Sequence, residues 1–138
     1  MKKNQAFFCA DSMEKWIMQL QNKVTIITGA GNGIGLAIAL LFAKEGATLV
    51  LADCEKRYGE ETIKTIHQSQ GKAIFVEGDV SYTRHVRQMV QAAISTYGRI
   101  DILVNNAGIL VKGSVTDFSE TDWDRVIAIN LTGTFLCC

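Results

Sequence analysis

The chain has 138 residues, 48% of them apolar and 20% charged, which is enough for one domain with its own core but not for two. Fourteen basic residues balance fourteen acidic ones, and no basic tail speaks for a nucleic-acid partner. The longest uninterrupted apolar run, residues 36–43, is far too short to cross a bilayer, so no membrane partner is expected.

Residues 1–17 stand apart from the rest of the chain. Lys2-Lys3 and the apolar residues 6–10 resemble the start of a secretory signal, but Asp11 interrupts the run too early. Residues 14–21 have the pattern of a short amphipathic helix, with Trp16, Ile17 and Leu20 on one side. The expectation is that Met18 is the native start and that 1–17 is an extension; a partner-binding helix is the alternative. Cys9, Cys54, Cys137 and Cys138 show neither C-x-x-C nor metal-ligand spacing. Reduced thiols, a cytoplasmic location and no bound metal are expected.

From Lys23 onward strand and helix patterns alternate. Residues 24–28 predict a first strand, and 33–45 a helix whose Ile34, Ile38, Leu41 and Phe42 form one apolar stripe, ended by Gly46. A near-continuous apolar strand follows over 48–52, as in a parallel sheet buried on both faces. Residues 59–70 predict a second helix and 73–76 a third strand. A third helix is capped by Ser81, with Val86, Met89, Val90, Ala93, Ile94 and Tyr97 on one face. Residues 100–104 predict a fourth strand. Ser119 to Asp122 opens the last helix as a variant of the capping box.

Such a series implies an α/β fold of the Rossmann type, a doubly wound parallel sheet with helices on both faces. Right-handed crossovers give strand order 3-2-1-4, with strand four an open edge and the switch point between strands one and four. A ligand belongs at the carboxyl ends of those two strands.

The stretch Thr28-Gly29-Ala30-Gly31-Asn32-Gly33-Ile34-Gly35 lies there, between a strand and a helix. Such a turn gathers backbone N–H groups at a helix N-terminus, where an anion is favoured, and glycines let a pyrophosphate come close. The spacing is not G-x-G-x-x-G, because Ile34 occupies the place of its third glycine. Asp53 ends the second strand near the offset at which a carboxylate reaches an adenosine ribose and repels a 2′-phosphate. Asn105-Asn106-Ala107-Gly108 closes the fourth strand, where amides can tie strand ends together. Asn130 shares a helix face with Trp123, Val126 and Ile127, so its amide is expected on a buried stripe with its hydrogen bonds satisfied. His67 and His85 fall within helices and are expected on the surface.

Thr-Gly-x-x-x-Gly-x-Gly at 28–35 together with Asn-Asn-Ala-Gly at 105–108 resembles the short-chain dehydrogenase/reductase family over roughly residues 18–138. The resemblance implies an oxidoreductase that interconverts a secondary alcohol and a ketone by hydride transfer to a nicotinamide cofactor. It places Gly29, Asn32, Gly33, Ile34 and Gly35 around the pyrophosphate. Asp79 would contact the adenine amino group and Val80 line the adenine pocket; read from the sequence alone, Asp79 is equally a loop residue before a helix cap. Asn106, Ala107 and Gly108 would border the nicotinamide ribose. Asn130 would be the active-site asparagine that interrupts its helix. The family's NADP-binding members carry a basic residue at positions held here by Cys54 or Asn32, so NAD is expected over NADP, with Lys56 and Arg57 close by.

The family's general acid/base pair requires Tyr-x-x-x-Lys. Tyr58, Tyr82 and Tyr97 are followed four residues later by Thr62, Val86 and Asp101. The family's catalytic serine, tyrosine and lysine are therefore not in these 138 residues, and this stretch alone is expected to turn over little or no alcohol. A non-catalytic dinucleotide- or partner-binding module is the alternative function, and a 3-oxoacyl-thioester reductase the next. Family members are commonly homo-oligomers, which the resemblance extends to the full-length protein.

Overall fold

The computed structural model describes residues 18–138. The whole extension, residues 1–17, therefore lies outside the described residues, as does the first half of the helix expected over 14–21. Its second half is a turn instead. Leu20 N–H is drawn to Glu45 O at 3.0 Å, and Asn22 adopts φ +64°, so the chain reverses into the first strand.

Four strands, β1 (Val24–Thr28), β2 (Thr48–Asp53), β3 (Lys72–Glu77) and β4 (Ile102–Val104), form one parallel sheet in the order β3-β2-β1-β4. The register sets Ile26 beside Val50 and Leu103, and Ile27 beside Leu51 and Val104. This is the doubly wound arrangement expected from the sequence, with β4 at one edge.

Helices α1 (Gly33–Lys44) and α2 (Lys56–Gln68) cover one face, and α3 (Thr83–Tyr97) covers the other. Strand side chains alternate between the faces, so Ile27, Leu49 and Leu51 meet Ala39 and Ile66, while Ile26 and Val50 meet Ala93. A smaller cluster of Ala52, Val80, Val86 and Met89 extends the second face toward the carboxyl ends. Leu49 and Leu51 are both fully buried, and such side chains each contribute about 1.5–3 kcal/mol.

The stripe expected on α1 is narrower than its sequence suggested. Its buried residues are Gly35 and Ala39; Ile38 and Phe42 are half-buried, while Ile34 and Leu41 are exposed. Small residues make the contact because α1 lies so close to β1: a Cβ on Gly35 would stand 2.0 Å from Gly29 O. Gly46, at φ +85°, follows the end of α1 as expected.

Helix α2 starts three residues earlier than Gly59. Gly59 lies inside it, where a Cβ would meet the Phe75 ring at 2.0 Å, so this glycine serves packing and not helix initiation. Ser81 is not the cap of α3 either. Tyr82 holds that position without a side-chain bond, and the Ser81 hydroxyl donates to Asp79 Oδ1 at 2.7 Å. Val86, Met89 and Ala93 are buried as expected, whereas Val90 and Ile94 are exposed.

Beyond β4, α4 (Glu120–Ile127) is capped by Ser119, whose Oγ accepts the Asp122 N–H at 3.0 Å. The helix widens to a π turn over Ala128–Gly133 and closes with α5 (Thr134–Cys137).

Candidate functional site

A cleft of about 480 Å³ opens at the carboxyl ends of β1 and β4, the position anticipated from topology. Its floor is the glycine turn. Gly29 has φ +64° and abuts Ala107 Cα, where a Cβ would come within 2.9 Å; Gly33 has φ +54° and open space where its Cβ would be. Asn32 caps α1 by accepting the Gly33 N–H on its side chain at 2.6 Å. The next N–H groups of the first turn, on Ile34 and Gly35, have no intrahelical acceptor, as in any helix start. Ile34 projects from the turn, 74% exposed, as one wall.

Asp53 forms the second wall. Its Oδ2 accepts the Gly31 N–H at 2.8 Å and its Oδ1 accepts the Glu55 N–H at 2.9 Å, so one carboxylate braces the glycine turn and the start of α2 together. The nearby cations are engaged elsewhere: Arg57 Nε lies 3.1 Å from Glu61 and Lys56 Nζ 3.8 Å from Glu60, each one turn along α2. Cys54 is on the rim, its thiol pushed up by partial burial and by the charges of Asp53 and Glu55.

Asp79 and Val80 shape the far end. Asp79 Oδ1 receives both the N–H and the hydroxyl of Ser81, at 2.8 and 2.7 Å, and Oδ2 remains. Val80 is buried against the π turn, where a Cβ on Gly133 would meet its Cγ2 at 2.6 Å.

Asn106 joins the carboxyl ends of β1 and β4. Its Nδ2 donates to Thr28 O and Gly29 O, both at 3.0 Å, while the Thr28 hydroxyl accepts the N–H groups of Asn106 and Ala107, each at 3.1 Å. Only one of the two neighbouring amides does this. Asn105 is exposed and lies 3.5 Å from Cys138 Sγ.

Asn130 departs from expectation. It is exposed, not set on a buried stripe; Trp123 is 57% exposed, and α4 has no buried residue. Its amide is nevertheless satisfied, because it accepts the Ile109 N–H and donates to Ile109 O, both at 2.9 Å. It stands between the cleft and a second, apolar hollow of about 540 Å³ lined by Leu110, Val115, Phe118 and Trp123. Gly29, Asn32, Gly33, Ile34, Asp53, Asp79, Val80, Asn106, Ala107 and Gly108 all line the cleft, while Gly35 is buried beneath it.

Sequence reasoning missed Ile109, Arg125 and Ile129, which also line it. Arg125 and Ile129 are four residues apart, a spacing that would have set them on one helix face. His85, expected on the surface, is half-buried, and its Nδ1 accepts the Asp79 N–H at 3.0 Å. Among the described residues no three His, Cys, Asp or Glu side chains converge as a metal site. No described helix is long and apolar enough to cross a membrane.

A parallel sheet in this order, with a glycine turn at its switch point and an acidic end on the neighbouring strand β2, defines a Rossmann-type domain. The chain belongs to the short-chain dehydrogenase family, whose model matches residues 23–138. It is 44% identical over 119 residues to an uncharacterised oxidoreductase of Thermotoga maritima, covering 86% of this chain and 47% of that one. The 3-oxoacyl-[acyl-carrier-protein] reductase of the same organism is 42% identical over 118 residues, with 86% and 48% covered. The meso-2,3-butanediol dehydrogenase of Serratia marcescens is 42% identical over 120 residues, with 87% and 47% covered. Among solved structures, a mutant Serratia marcescens short-chain dehydrogenase/reductase superposes with a TM-score of 0.82 at 33% identity, over 86% of this chain and 49% of that one. The chain thus spans about half the length of the curated relatives it matches.

Proposed function

We infer that residues 18–138 are the NAD-binding part of an oxidoreductase that interconverts a secondary alcohol and a ketone. The carrying observation is Asp53, fixed by Gly31 and Glu55 N–H groups at the mouth of the cleft while Lys56 and Arg57 are paired with Glu60 and Glu61. Among the described residues, that edge offers a carboxylate, and Lys56 and Arg57 beside it face glutamates. It suits ribose hydroxyls, which donate to it, and opposes a 2′-phosphate.

The residues present fit the cofactor. The left-handed backbone at Gly29 and Gly33 and the open space above Gly33 form a cradle that side chains would fill. First-turn N–H groups of α1 there suit a pyrophosphate. Asp79 Oδ2 is free to accept the adenine amino group beside Val80, and Asn106, Ala107 and Gly108 border the nicotinamide half. When bound, the nicotinamide supplies the hydride chemistry; these residues hold and orient it. Asn130, paired to Ile109 beside Gly108, keeps that border in place and is assigned the family's asparagine role.

Because the family's serine, tyrosine and lysine are not among the 138 residues, this stretch alone binds the cofactor without turnover. Within this reading the full-length protein is a cytoplasmic homo-oligomer acting on a small alcohol or ketone. Reduction of a 3-oxoacyl thioester is the next candidate, given the reductase among the relatives.

Calorimetric titration with NAD⁺ and NADP⁺ tests the assignment. NAD⁺ should bind at least about tenfold more tightly, and Asp53→Ala should narrow the difference. Equal affinity for both, unchanged by Asp53→Ala, would sink it.

A further inference from the structure

We propose that His85 is a positioning residue for the adenine side of the cleft, acting through the main chain of Asp79. The inference rests on the dinucleotide reading above. Asp79 is clamped twice: Ser81 holds its Oδ1, and His85 Nδ1 holds its N–H at 3.0 Å. With both fixed, Oδ2 has one direction in which to face a ligand. Gly78 eases this closure, since a Cβ there would stand 3.1 Å from His85 Cβ, a tight contact.

The ring can serve in only one protonation state. Two donors face it: the Asp79 N–H at Nδ1, and Arg84 Nε at 3.3 Å from Nε2. A neutral imidazole has a single acceptor nitrogen. The part-buried main-chain amide takes it, because an unpaired buried N–H is costly, and the exposed Arg84 guanidinium lies over the Tyr82 ring, 5.5 Å from its centre. The other polar group against the ring is Tyr82, edge-on with ring centres 5.4 Å apart. Among the described residues, Arg84 is the charged side chain within hydrogen-bond reach of the ring. An Nδ1–H would oppose the Asp79 N–H, so the clamp requires the ring with its proton on Nε2.

Asn places an acceptor near the position of Nδ1, so His85→Asn separates this role from simple packing; His85→Leu removes the acceptor.

The test is calorimetry with NAD⁺ and with AMP on the wild type and both variants, with thermal melts to confirm folding. His85→Asn should match the wild type for both ligands, and His85→Leu should bind both about fivefold more weakly, the equivalent of one hydrogen bond. A folded His85→Asn that loses about fivefold in affinity overturns the proposal even if His85→Leu fails to fold, as does wild-type affinity in a folded His85→Leu. Absence of NAD⁺ and AMP binding by the wild type overturns the dinucleotide reading and this inference with it, whereas wild-type binding with either of those variant results overturns the inference alone.

Discussion

Asn130 and Ile109 exchange two hydrogen bonds, side-chain amide to main chain, as two strand residues would. Asn130 lies where the helix opens into its π turn, and Ile109 follows the cleft residue Gly108. One side chain thereby fastens the segment after β4, which has no strand neighbour there, to the helix beyond it. Asn130→Leu should lose both bonds and about 1–2 kcal/mol in urea denaturation, and the Ile109 amide should exchange with deuterium markedly faster. Asn130→Asp keeps the acceptor but faces a carboxylate to Ile109 O, so it should fall between the two.

Gly35 allows α1 to lie on β1. A methyl group there would overlap Gly29 O at 2.0 Å and Asn106 Nδ2 at 2.5 Å. Backbone cannot yield as a flexible side chain would, so Gly35→Ala should cost more than about 3 kcal/mol and abolish NAD⁺ binding. Gly33→Ala, with open space around its Cβ but φ +54°, should cost only about 1 kcal/mol. Equal losses in the two variants by chemical denaturation would contradict this ranking.

Thr25 is fully buried in β1, and its hydroxyl has no hydrogen-bond partner among the described residues. Valine has nearly the same shape and no polar atom to leave unpaired. Thr25→Val should therefore raise stability by about 1 kcal/mol, read as a higher denaturation midpoint with an unchanged slope.

Asp101 ties β4 to β1 from below. Its Oδ2 accepts the Val24 N–H at 2.8 Å, and that bond, with the Arg99 guanidinium on the other oxygen, holds its carboxyl below the ordinary value. A carboxyl lowered in the folded state contributes stability that is present above its unfolded pKa and lost as pH falls through the folded one. Stability should drop on acidification below about pH 4, and Asp101→Asn should flatten that limb of the profile relative to wild type.

Much of this was legible in the chain itself. The strand pattern, the glycine turn, Asp53 at a strand end and Asn-Asn-Ala-Gly determined the sheet order and the end of the sheet at which the cleft opens. These are local signals: a strand buried on both faces must be apolar throughout, and a turn that visits φ > 0 must carry glycine. Ser119 as a helix cap was readable for the same reason, since its partner is three residues away.

What only the tertiary structure decided are pairings between residues distant in sequence or hidden in the wrong period. Asn130 looked like a buried amide because three apolar residues share its face, yet that face is largely exposed and the amide bonds a residue 21 positions earlier. His85 looked like a surface residue until α3 was packed and its ring met Asp79. The pairing of Arg57 with Glu61 depended on α2 beginning three residues before Gly59, which sets the two side chains one turn apart on the helix. Periodicity tells which side of a helix can be buried; which partner arrives there is settled only when the layers close.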